Sequence, residues 1–295
     1  MLPVQIAITS LTDQVGLTEL SQVAAVLQRQ VTRDFTPLWG IEAAIDAFPF
    51  DQIPPGAWPV IVQDVIEAPG AAGIHRTEAD DTPYALLQYG ETWSLAASHE
   101  CLEMLADPSG CRKIAGDSPV AAHGRVEFLL EVCAPCSDAA NAYAINGVLV
   151  SDFCTPHYYG ASPGAGGRCS FTGALRQPLA LRPEGALSWF AGDGLLYQAR
   201  ADRAGVISVH GGFSVANRDG QLLREFVNGL TPDQPYSLSN AEWPPALLQA
   251  EAALCSARGR HAARFRDDIA WRFGFATAGL PKRWVTEGAP MAHAG

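Results

Sequence analysis

An α+β fold is expected from three features of this sequence. Apolar residues recur at helical spacing in two separate segments, and strand-length apolar runs lie before, between and after those segments. Hydrophobic residues make up 48% of the 295, enough to cover a sizeable core.

In chain order, Val4-Gln5-Ile6-Ala7-Ile8 reads as a first strand. From Thr18 to Phe35 the residues Leu20, Val23, Ala24, Leu27 and Val31 share one face of a long helix. Ile41 to Phe48 and Pro59 to Glu67 suit strands, separated by a turn-rich segment containing Pro54-Pro55-Gly56. Pro83 to Tyr89 reads as a further strand ended by Gly90, and Trp93 to Ala106 as a helix stopped by Asp107-Pro108. Beyond it, Arg125 to Val132 and Ala144 to Val150 read as strands, the second after a turn near Ala139 to Asn141. Residues 160–173 form a glycine-rich loop, and short β segments are expected between 185 and 217. Pro245 to Phe273 contains a helix with Arg258, Arg260, Arg264 and Arg266 on a solvated face.

Lys and Arg number 20 against 31 Asp and Glu, a formal charge of −11 that would repel a phosphate backbone, so nucleic acid is not an expected partner. The apolar runs are too short to span a membrane, and the first basic residue is Arg29, so no signal peptide is read; a cytoplasmic protein is expected. Seven irregularly spaced cysteines do not resemble a disulfide framework, and reduced thiols follow. Cys133-Ala-Pro-Cys136 has CxxC spacing without the second pair that a structural zinc site of that type needs, and reads as buried or loop thiols.

The chemistry concentrates in Ser98-His99-Glu100-Cys101-Leu102-Glu103. His99 and Glu103 are four residues apart on a helix, so both side chains can meet one ion, with Glu100 their neighbour. Leu95, Ala96, Ala97, Leu102, Met104 and Leu105 make that helix apolar, and burying His99, Glu100 and Glu103 in it without compensation would be costly. A metal ion would supply the compensation. The alternative is a helix with one wet edge carrying Glu100 and Glu103, and a hydrogen-bonded His99.

With this motif on its helix, the chain resembles the zincin metallopeptidases, whose fold runs strand, long helix, further strands and metal-binding helix. The resemblance covers residues 1–160, the expected zincin-like metal-binding core with a mixed sheet; residues 161–295 form a β-rich extension with a C-terminal helix, packed on it. Trp93 to Pro108, with Glu131-Val-Cys and Ser151-Asp-Phe, is similar to uncharacterised bacterial proteins bearing HExxE. The resemblance implies His99 and Glu103 as zinc ligands and Glu100 as the general base on the bound water, in a site with an open position.

Asp107, His123, Glu131 and His157 are the candidates for a third ligand. Asp107 lies about 12 Å along a continuous helix from His99 and is read as a cap. Glu131, at the end of a strand, resembles the downstream glutamate ligand of glutamate-type zincins and is the choice. His157 and Tyr158, in Thr155-Pro-His-Tyr-Tyr159, are read as lining the site, where imidazole or phenol could stabilise an oxyanion, or as packed structural groups. One imidazole and two carboxylates cancel the charge of Zn²⁺, which lowers its Lewis acidity and admits a harder ion such as Mn²⁺. The function expected is a zinc-dependent, peptidase-like hydrolase of a peptide or protein substrate, aligned on the strand 83–89 as the edge of its sheet. Its rival is a non-catalytic binding or scaffold protein retaining the fold. A narrower variant of the enzyme reading is a tailoring enzyme for a peptide natural product or phage component.

Overall fold

The alternating residues of β1 (Val4–Ser10) send Ile6 and Ile8 into the core, both fully buried. The helix α1 (Leu17–Gln30) buries Leu20, Val23, Ala24, Val26, Leu27 and Gln30. It then widens into a π-helical stretch, Val31–Phe35, before α2 (Thr36–Trp39) ends at Gly40, whose φ of 68° a side chain would oppose. Next come β2 (Ala43–Ala47), β3 (Trp58–Gln63), β4 (Gly73–Thr77), β5 (Pro83–Gln88) and α3 (Trp93–Ala106). Then follow β6 (Lys113–Asp117), β7 (Arg125–Leu129), the hairpin β8 (Tyr143–Ile145) and β9 (Val148–Val150), and β10 (Ala186–Phe190), β11 (Leu196–Ala201) and β12 (Ile207–Phe213). This computed structural model describes residues 3–68, 71–78, 81–160 and 167–217, with Leu223, Phe226 and Val227. These lie in one unit, Met1–Pro244; the arginine-bearing helix expected after Pro245 and residues 161–166 of the expected loop fall outside the described residues.

The fold is mixed α+β. One five-stranded sheet has the order β2-β1-β3-β5-β4, parallel except for β4, which runs antiparallel to β5 at the edge. A second five-stranded sheet, β12-β11-β10-β7-β6, is antiparallel throughout. Register places Ile8 beside Val60, Val60 beside Ala85 and Val62 beside Leu87, one continuous apolar face. The helices α1 and α3 touch each other and this sheet, and their apolar residues share its core with Phe128, Leu187 and Trp189 of the second sheet. None of the described helices is long and apolar enough to cross a membrane.

Three sequence expectations change. The strand 83–89 is not an edge: β5 has β3 on one side and β4 on the other, so its backbone groups are taken up and the free edge belongs to β4. The run from Ala144 to Val150 is not one strand but nearly the whole of the β8–β9 hairpin, turned at Asn146 and Gly147 with φ of 52° and 81°. That Asn-Gly pair is a strong hairpin signal inside an apolar run. The strand beginning at Arg125 stops at Leu129, three residues short of Val132, because the chain there leaves the ladder to run beside α3.

A buried polar junction ties α3 to the rest. Ser98 donates to Gln30 Oε1 at 2.8 Å and accepts from the Ser151 N–H at 2.9 Å, while Gln30 donates to Ser151 O and to the Tyr143 hydroxyl. Replacing Ser98 by Ala removes the partner of two buried groups, each worth about 1–3 kcal/mol when unsatisfied. Urea unfolding of Ser98→Ala should show a lower midpoint at unchanged slope; an unaltered midpoint contradicts this role.

Candidate metal centre

The helix α3 is buried along nearly its whole length, Ser94 alone excepted, so it presents no wet edge on which Glu100 and Glu103 could lie. His99, Glu100 and Glu103 are 6%, 4% and 0% exposed. The helical period sets His99 and Glu103 together, with His99 Nε2 3.8 Å from Glu103 Oε1. It turns Glu100 toward the sheet. There the register puts Gly73 opposite Leu87 and His75 opposite Ala85, on the face that α3 covers. His75 Nδ1 lies 3.0 Å from Glu100 Oε2, and both side chains are buried.

Glu131 is 5% exposed and sits two residues past the end of β7, where the chain runs along α3. Two residues on, the Cys133 N–H donates to Glu103 Oε1 at 2.8 Å and its thiol reaches the His99 carbonyl at 3.9 Å. The Tyr159 hydroxyl donates to the Glu131 carbonyl at 2.8 Å. Tyr158 is fully buried, its ring edge-on to Tyr159 at 5.0 Å, and its hydroxyl meets no partner among the described residues. Burial holds both phenols well above the usual tyrosine range, and the Glu131 charge acts in the same direction, so both stay protonated. His157 is half-buried, packed against Gly167 so closely that a Cβ there would come within 2.9 Å of its ring. Of the other ligand candidates, Asp107 caps a turn by accepting the Cys111 and Arg112 N–H groups. His123 sits in the 3-10 turn between β6 and β7, accepting from Trp189 Nε1 of the second sheet and packed on Tyr197.

Four cysteines stand around the same helix. Burial raises the Cys101 thiol, with the Glu100 charge adding to it, and raises Cys133, where Glu103 adds. Cys136 is raised for the same first reason, and Cys154 is pushed up to about 11. These are inert thiols, reduced and enclosed.

The donor chemistry suits a divalent ion. Zinc bonds of about 2.1 Å in a tetrahedral arrangement place two ligands about 3.4 Å apart, and His99 and Glu103 stand close to that spacing. Imidazole and carboxylate are borderline and hard donors, suited to zinc or manganese. Among the described residues, no three His, Cys, Asp or Glu side chains are gathered as one metal-holding group, so Glu131 closes no triad with the pair. His75 was not legible as a site residue. It belongs to a strand, Gly-Ile-His-Arg-Thr, whose only signal is a short alternating run ahead of Asp80-Asp81.

No family model, curated protein or solved structure matches the chain.

Two outcomes test this arrangement. A Cβ at Gly73 would come within 2.9 Å of Glu100 Cγ and 3.0 Å of Leu87 Cδ2, so Gly73→Ala should destabilise by about 1–3 kcal/mol in denaturant unfolding. A wild-type midpoint would show that Glu100 yields without cost. Thiol alkylation mapped by mass spectrometry should label exposed Cys111 in the native protein and leave Cys101, Cys133, Cys136 and Cys154 unmodified until it is unfolded; native labelling of those four contradicts their burial.

Proposed function

We propose that this chain is a metal-dependent hydrolase of zincin type, acting on a peptide or related amide. His99, Glu103 and Glu131 would hold a zinc ion, or a harder ion such as Mn²⁺. The observation that carries the reading is the buried His99 and Glu103 pair at near-ligand spacing, beside Glu100 turned to the edge of the mixed sheet. When bound, the ion would supply a Lewis acid for a carbonyl oxygen and make water more acidic.

The residues divide that work by position. Glu100 would take the proton of the attacking water and return it to the leaving amine, the exchange expected of a carboxylate near the reacting atoms. His75, at 3.0 Å, fixes the direction in which its carboxylate points. The Cys133 N–H anchors the Glu103 carboxylate and so limits its rotation. Of the two donors expected for an oxyanion, His157 is assigned that part because it is half-buried, whereas the Tyr158 hydroxyl is enclosed and fits a packing role. The edge strand β4, rather than β5, would align an extended substrate.

The non-catalytic reading draws on one observation, that the described donors form a pair rather than a closed triad. Elemental mass spectrometry separates the two. Wild-type protein should carry about one zinc or manganese per chain. Both His99→Ala and Glu131→Ala should lose it, and Glu100→Gln should keep the metal while peptide-library turnover falls at least ~100-fold. A folded wild type that takes up no metal on reconstitution favours the scaffold instead.

A further inference from the structure

The segments around β8 and after Thr172 border an open cavity of about 800 Å³, with no residue of α3 in its described lining. Arg176 and Arg182 line it with Asn141, Tyr143 and Gln177, and no Asp or Glu is among its described lining residues. In a chain with 31 acidic and 20 basic residues, two arginines without a carboxylate make a local reversal of charge.

Arg182 is held in place from several directions. Its N–H donates to the Pro135 carbonyl at 3.0 Å and its carbonyl accepts from Gly185 at 2.9 Å. A Cβ at Gly185 would fall 2.4 Å from the Pro135 carbonyl oxygen, so this turn accepts only glycine without shifting. Its side-chain Nε donates at 3.0 Å to Oδ1 of the buried Asn141, whose own amide donates to the Cys136 carbonyl at 3.4 Å. With Nε occupied, the two terminal nitrogens of Arg182 form the part of the fork that no described protein group uses, and Arg176 makes no hydrogen bond or ion pair among the described residues. Two carboxylates stand behind the wall and both are occupied: Asp152 by Thr172 N, Thr172 Oγ1 and Phe153 N, and Asp34 by the Tyr143 hydroxyl and the Arg33 guanidinium.

We infer that this cavity binds a small organic oxyanion, its carboxylate or phosphate group seated on the Arg182 fork with Arg176 closing from the rim. A guanidinium whose Nε is pre-bonded loses little freedom when its remaining two nitrogens engage two oxygens, which is the geometry that favours arginine over lysine for such groups. The cavity volume is that of a small-molecule site rather than of a bare ion. This inference does not depend on the metal-centre reading.

The test is calorimetric titration at constant ionic strength, with succinate and inorganic phosphate as separate probes. Saturable binding of at least one is expected, weakened at least ~10-fold in both Arg182→Gln and Arg176→Gln, as loss of a charge-assisted hydrogen bond implies. It should be unchanged in His99→Ala. Succinate alone would assign a carboxylate ligand and phosphate alone a phosphorylated one. Should Arg182→Gln fail to fold, Arg176→Gln carries the test, because its exposed side chain has no bond to lose among the described residues. No saturable binding of either probe up to about 10 mM, wild-type affinity in a folded arginine variant, or loss of binding in His99→Ala would each overturn the site.

Discussion

A helix buried on nearly all sides that carries His99, Glu100, Glu103 and Ser98 must have each of those polar groups met from outside itself, because hydrocarbon neighbours cannot replace the lost water. The partners come from separate stretches of chain. His75 on β4 meets Glu100, the Cys133 N–H meets Glu103, and Gln30 of α1 with the Ser151 N–H meets Ser98. A buried group left unmet costs about 1–3 kcal/mol, against a total stability of about 5–15 kcal/mol for a folded protein. Few of these contacts can be lost together, and they bind the edge strand, the first helix and the segment after β7 to one axis.

The same contacts sort the helix chemically. A 3.6-residue period separates Glu100 from His99 and Glu103, so two carboxylates one turn apart meet different surroundings, an imidazole in one case and a backbone N–H in the other. Segregation of that kind is what a site needs if one carboxylate is to ligate and the other to carry protons. The enclosed thiols beside them add no competing nucleophile, since burial disfavours their ionised forms.

Charge is distributed with similar economy at the cavity lined by Arg176 and Arg182. The chain is acidic overall, yet there the acidic groups are withdrawn and a buried asparagine orients the guanidinium. Net charge describes the long-range field; it says nothing of a local concavity, where fixed hydrogen bonds decide what is presented.

Properties that depend on near neighbours were legible in the sequence. Asp107-Pro108 closes α3 after Ala106, the spacing of His99 and Glu103 puts them on one face, and Asn146-Gly147 encodes a hairpin even though apolar residues on both sides read as one strand. Those follow from backbone geometry, which repeats within a turn or a pleat. The tertiary structure alone decided that β4 rather than β5 lies at the edge, that His75 faces Glu100, and that the chain abandons its strand at Leu129 to reach Glu103. The last two are pairings between residues 25 and 30 positions apart. Such pairings are chosen by register and by the need to satisfy buried polar groups across the whole core, a balance that no local window of residues contains.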